Sequence, residues 1–239
     1  MARLTYRPEI DGLRALAVLP VVLFHTQLEF PGGYVGVDIF FVISGFLITS
    51  LVHADVRART FSLAAFWLRR LRRIAPAALA TVFGSLLLGF ILMLPSDFED
   101  LGRSAMAQAV GAANIYFYAT SGYFDSPAHT KPLLHFWSLA VEEQFYLFFP
   151  PLLVLLTRWR PRWLVRALVV IGAVSFVVSA VGAWRFPDAA FYLLPSRAWE
   201  LALGAVLALR GCALPIPERW RAPLGWFGVV LMVAPMFLY

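Results

Sequence analysis

The sequence predicts an all-α fold, a polytopic bundle of transmembrane helices, and three observations carry that prediction. Hydrophobic residues make up 61% of the 239 and charged residues only 14%, against roughly 45–50% and about 25% in an ordinary soluble domain. The apolar residues gather into runs near the length of about 20 that a helix needs to cross a bilayer. The cations fall mostly in alternate gaps between those runs, as expected when cytoplasmic loops are the basic ones. A water-soluble globule is excluded, because a fold of this size could not hide so much apolar surface.

Taken in order, the expected spans are 12–29, 35–53, 75–95, 134–156, 166–184, 191–209 and 223–239. The first has no small-residue cleavage site after it and holds Arg14 and His25, so it reads as a retained span and not a signal peptide. The second opens GGYVGVDIFFVISGFLI, where Ser44 and Gly45 are small enough for close helix approach. The third follows FWLRRLRRIAP, and the fourth lies in LLHFWSLAVEEQFYLFFP. The sixth carries Arg197 and Glu200 at i, i+3, pair geometry that favours a structural role over a catalytic one. A weaker stretch, 104–120, contains Gln108 and Asn114.

The loops decide how to treat that stretch. Segment 54–74 carries Arg57, Arg59, Arg69, Arg70, Arg72 and Arg73, and segment 157–166 carries Arg158, Arg160, Arg162 and Arg166. With Arg3, Arg7, Arg210, Arg219 and Arg221, fifteen of the 20 cations lie on one side, and the intervening segments hold only Arg103, Lys131 and Arg185. A full crossing by 104–120 would put four arginines outside, so it is expected to be re-entrant or interfacial on the outer side. The N-terminus is then cytoplasmic. The formal charge of +6 is read as loops meeting cytoplasm and anionic lipid, with the bilayer and not nucleic acid as partner. A single cysteine, Cys212, excludes an intrachain disulfide and a cysteine zinc site, and the histidines lack i, i+4 ligand spacing, so no metal is implied.

Ionisable residues inside spans are costly, which makes them functional candidates. Arg14 and His25 are 11 residues apart, three helical turns plus about 20°, and so share one face some 16 Å apart. Singly, each has an ordinary role: His25 bonding a neighbouring helix, Arg14 snorkelling or pairing with Asp11. Together on one face, the functional reading moves ahead. Pro20 between them is a place for a kink. Asp38, one turn into the second span, either orients His25 across a helix pair or is structural. Arg69, Arg70, Arg72 and Arg73 suit membrane anchoring, and equally suit a polyphosphate donor held by guanidinium forks. Glu142 and Glu143 point about 100° apart, so they cannot both face lipid.

In this order, RPEIDGLRALAVLPVVLFH, GYVGVDIFFVISGFLI, FWLRRLRRIAP, HFWSLAVEEQFYL and SRAWELALGAVLAL resemble the membrane acyltransferase-3 family, of the O-antigen and polysaccharide acetylase type. The likeness covers essentially all of residues 5–210. It implies a multi-pass enzyme of the bacterial inner membrane that takes an acyl group, usually acetyl, from cytosolic acyl-CoA to a hydroxyl of an envelope carbohydrate or glycosylated product. The family's arginine–ten residues–histidine pattern falls on Arg14 and His25. Its Arg-Arg-x-x-Arg pattern, linked to the acyl-CoA side, falls on Arg69, Arg70 and Arg73, and its serine-to-tyrosine segment on Ser138, Glu142, Glu143, Gln144 and Tyr146. Family members have roughly ten spans, so the chain is expected to be incomplete at its C-terminus.

The expected chemistry places CoA phosphates on arginines 69–73 and the pantetheine arm past Arg14, which also stabilises oxyanion charge or holds the donor. His25 acts as general base or receives the acyl group. A carboxylate such as Asp38 or Glu142 would fix its tautomer. The rival class is a proton-coupled transporter using Arg14, His25 and the two glutamates as a relay. A non-catalytic membrane subunit is a third reading.

Overall fold

The computed structural model describes residues 7–26, 28, 30–122, 127–210 and 217–238; Arg3 and Cys212 lie outside the described residues. Among the described residues there are ten α-helices, three one-turn 3-10 helices and no strand. The α-helices are α1 Pro8–His25, α2 Gly36–Arg57, α3 Leu63–Leu92, α4 Pro95–Ala109, α5 Ala113–Thr120, α6 Phe136–Trp159, α7 Leu164–Arg185, α8 Pro187–Tyr192, α9 Leu194–Arg210 and α10 Glu218–Leu238. The all-α membrane class read from composition is the class observed.

Among the described residues, five segments are long and apolar enough to cross a membrane: Gly33–Arg57, Leu63–Leu92, Phe136–Trp159, Pro161–Arg185 and Glu218–Phe237. Two expected spans fall short of that standard. Helix α1 has 18 residues but carries Glu9, Asp11 and Arg14, and α9 has only 17. The third helix begins at Leu63 rather than near residue 75, because Ser62 caps it, accepting from the Ala65 amide at 3.4 Å. Leu, Ala and Arg then sustain the helix up to Pro76, which forfeits one backbone bond without ending it. Arginines 69–73 therefore ride on the helix itself, in its second and third turns.

Stretch 104–120 is divided between two short helices. Gly111 breaks the chain with φ +67°, a backbone conformation that glycine adopts without a Cβ penalty. Neither α4, with 15 residues, nor α5, with 8, is long enough to span.

The chain divides into two compact units. The first takes in Met1–Arg59, Leu153–Gly172 and Trp199–Tyr239. Its centre is α2, which buries Phe41, Ile48 and Val52 on one stripe. Two glycines let α2 and α9 cross backbone to backbone: a Cβ on Gly45 would collide with the Leu201 carbonyl, and one on Gly204 with the Val42 carbonyl. Helix association in lipid relies on such packing, because lipid tails are as apolar as the side chains.

The second unit takes in Thr60–Leu152 and Ala173–Ala198. Its core includes Phe66, Leu101, Phe117, Leu133 and Val141. The large apolar side chains left outside the protein core, Phe83, Phe90 and Leu92 on α3 among them, suit lipid contact. Trp159, Trp163 and Trp184 are exposed at the ends of α6 and α7, the depth at which indole rings anchor to the membrane interface.

Candidate active site

In the first unit, the candidate residues come from α1 and the start of α2. His25 is the last residue of α1, and its Nδ1 lies 2.7 Å from the Val21 carbonyl oxygen one turn earlier. A carbonyl only accepts, so Nδ1 carries the proton and, in the neutral ring, Nε2 carries the basic lone pair. The backbone of the same helix thus holds the Nδ1–H tautomer. The ring stands edge-on to Phe24 at 5.0 Å, and Phe24 in turn meets Tyr34 at 5.7 Å.

Arg14 makes the one-turn pair with Asp11 weighed from the sequence, at 3.5 Å, and lies 5.8 Å from the Phe40 ring of α2. The GGYVG segment then explains how α2 can start so close to α1. A side chain at Gly33 would strike the Pro20 carbonyl, and one at Gly36 the Ala17 carbonyl. Pro20 is buried in this contact, so its carbonyl is covered by glycine backbone. This close approach sets Asp38, half-buried in the first turn of α2, on the helix that packs against α1. The Gly32 amide donates to the Met236 carbonyl of α10 at 3.1 Å, tying the last helix to the same corner.

In the second unit, α3 and α6 bring Arg70, Tyr146 and Glu142 together. The Arg70 guanidinium lies 5.1 Å from the Tyr146 ring and 5.8 Å from the Phe66 ring. The Tyr146 hydroxyl donates to Glu142 Oε2 at 3.2 Å, and Trp67 Nε1 donates to the Tyr146 carbonyl at 3.0 Å. Glu142, Tyr146 and Phe66 are buried. The arginines therefore divide: Arg69 and Arg70 are half-buried, whereas Arg72 and Arg73 are exposed.

Glu143 takes a different direction from Glu142, as adjacent helical positions must. It is half-buried, and a methyl at Gly111 would stand 3.3 Å from its Oε2. Beside it, Gln144 Nε2 donates to the Gly111 carbonyl at 3.0 Å and to Asn114 Oδ1 at 2.7 Å. Asn114 Nδ2 donates to the Tyr192 carbonyl at 3.0 Å and is fully buried. This amide pair ties the α4–α5 break to α6 and α8. Sequence reasoning missed it, although a buried-type amide in an apolar stretch three residues after a glycine was the available signal. Ser138 donates to the His135 carbonyl at 3.2 Å in the first turn of α6. Arg197 donates to the Phe191 carbonyl at 3.0 Å and lies over the Trp137 and Phe191 rings, a positioning role within α8–α9.

An exposed histidine at a helix end in the first unit, and a half-buried guanidinium with a buried carboxylate in the second, are residue types used by a transferase that works on a polyanionic donor. A family model described as an acyltransferase domain matches residues 7–239. The chain belongs to the acyltransferase-3 family. It is 35% identical over 236 residues to the peptidoglycan O-acetyltransferase OatA of Listeria monocytogenes, covering 94% of this chain and 38% of that protein. It is 36% identical over 209 residues to the O-acetyltransferase OatA of Staphylococcus aureus, covering 85% of this chain and 34% of that protein. The chain thus spans just over a third of the length of these curated relatives. No solved structure matches it.

Proposed function

We propose that this chain is the membrane O-acyltransferase portion of a bacterial inner-membrane enzyme, moving acetyl from cytosolic acetyl-CoA to a hydroxyl of an envelope glycan. The observation that carries the reading is the His25 geometry: a histidine at a helix end, proton-bearing at Nδ1, with the lone pair left on Nε2. Support for the reaction class comes from the family, and support for peptidoglycan as acceptor from the names of the relatives. The N-terminus lies in the cytoplasm in this reading, which agrees with the arginine-rich segments.

His25 Nε2 takes the proton of the acceptor hydroxyl as the oxygen attacks the thioester carbonyl. The new C–O bond forms, the C–S bond breaks, and the departing CoA sulfur receives the proton. Arg14 holds the donor or stabilises the oxyanion, with Asp38 shaping the polar surroundings in the first unit, while Glu142 in the second accepts from the tyrosine hydroxyl beside Arg70. Arg69, Arg70, Arg72 and Arg73 bind the CoA phosphates, Arg70 being held ready by its stack on Tyr146. Ser138 is assigned to the donor side by its family motif, and Glu143 lies against the Gly111 break. A proton-coupled transporter would use the same ionisable residues but leaves the arginine cluster without work.

The test is transfer of radiolabel from acetyl-CoA in membranes that contain the chain. Label appearing in alkali-labile esters of envelope glycan supports the reading. Solute flux driven by a pH gradient, with no label transferred, overturns it.

A further inference from the structure

Within the second unit a cleft of about 480 Å³, including its open mouth, lies where α4, α5 and residues 130–132 meet. Asp97, Asp100, Tyr116, Thr120, Thr130 and Lys131 supply its polar lining. Its floor is apolar: Leu101 and Phe117, both buried, contribute to it. None of these residues belongs to the acyl-transfer machinery described above.

We infer that this cleft is the docking site for a sugar ring of the acceptor glycan. The inference rests on the proposed acyltransferase function and adds where the acceptor is held. A pyranose presents donors and acceptors around its edge and an apolar C–H face. The lining answers each: two carboxylates accept from hydroxyls, Lys131 donates, two threonines do either, and Tyr116 offers a ring. Tyr116 is fixed in place by its hydroxyl, which donates to the Asp100 carbonyl at 3.3 Å across α4 and α5. Asp100 lies 3.8 Å from Arg103, which also bonds Glu99, and Lys131 lines the same cleft, so the acidic charge is partly offset.

That charge balance separates the two substrates. A CoA phosphate would meet two carboxylates here, a repulsion that costs affinity, whereas an uncharged polyol meets hydrogen-bonding groups with no such repulsion. The cleft lies in segment 96–133, which holds only Arg103 and Lys131 among the cations and so falls on the outer side, where an envelope glycan is found. The unusual interruption at Gly111 has a purpose in this account: two short helices set at the interface shape a cleft that one straight span would not.

The test uses the full chain in lipid nanodiscs and titrates chitotetraose, an uncharged N-acetylglucosamine oligomer, by isothermal calorimetry. The unmodified chain is expected to bind it, and Asp97→Asn with Asp100→Asn is expected to weaken binding at least tenfold while leaving acetyl-CoA affinity unchanged. Tyr116→Phe, which keeps the ring and loses the anchor to Asp100, is expected to weaken it by less. Binding that survives the double substitution overturns the proposal, as does a chain that binds acetyl-CoA but no saccharide. The two readings fail separately. If acetyl transfer occurs with an unchanged KM for glycan in the double variant, the cleft assignment falls and the acyltransferase stands. If the variant loses saccharide binding but the unmodified chain transfers no acetyl group, the site stands and the enzyme reading falls.

Discussion

The crossing of α2 and α9 offers a quantitative test of how this unit is held together. A methyl placed on Gly45 would overlap the Leu201 carbonyl oxygen and stand 2.8 Å from its carbon; one on Gly204 would overlap the Val42 oxygen and stand 2.7 Å from the Phe46 amide nitrogen. Both obstacles are backbone, so neither can rotate away, and the helices must part by roughly 1 Å to regain contacts beyond 3 Å. A gap of that size forfeits between about a quarter and a half of each dispersion contact, at ~0.1–0.2 kcal/mol each. With roughly 40 atom pairs across such a crossing, the loss is ~1.5–3 kcal/mol, within the range of about 1–3 kcal/mol for overpacking. The better helix propensity of alanine returns about 0.5–1 kcal/mol. Gly45→Ala and Gly204→Ala should each destabilise by ~1–2 kcal/mol net. Because one separation relieves both overlaps, the double variant should cost clearly less than the two singles combined. Unfolding in detergent micelles, followed by tryptophan fluorescence, gives the cycle. Gly84→Ala and Gly225→Ala, which meet nothing within 4 Å, serve as controls. Full additivity, or neutral singles, would refute the close-crossing account.

Arg70→Gln should weaken acetyl-CoA binding at least tenfold by calorimetry, because it removes both the phosphate fork and the stack on Tyr146, while Arg72→Gln, exposed on the same helix, should cost less. Gln144→Leu should destabilise by about 1–3 kcal/mol, the cost of leaving the buried Asn114 amide short of a partner, and Asn114→Leu with Gln144→Leu should cost less than additively; thermal unfolding measures both. A Ser121→Cys chain on a Cys212→Ser background should react with an impermeant thiol reagent from outside only. Reaction from the cytoplasmic side alone would reverse the assigned topology.

The fold class was legible because lipid imposes it: apolar runs of bilayer length can only be helices when water is absent. Boundaries were less legible, and α3 shows why. Arginine is a good helix former, so a basic segment that looks like a loop to a hydropathy scale continues as helix until a cap is met, here at Ser62. The site divided in the same way. Arg14 and His25 were visible as charges on one face of one helix. The Nδ1–H tautomer was not, since a backbone carbonyl four residues back is available on every helix and leaves no mark in the sequence. The Arg70–Tyr146–Glu142 group was hidden for a further reason, because it joins residues 76 positions apart and depends on which helices pack.

His25 both donates to a backbone carbonyl and carries a basic nitrogen, and Asn separates these two properties. His25→Asn can still donate to the Val21 carbonyl but has no basic nitrogen, so it should insert and unfold like the unmodified chain. Acetyl transfer from acetyl-CoA to a glycan hydroxyl, measured on the purified chain in proteoliposomes, should fall by about 10²- to 10⁴-fold, the usual contribution of a general base. Transfer by His25→Asn within threefold of the unmodified chain would contradict the general-base role of His25.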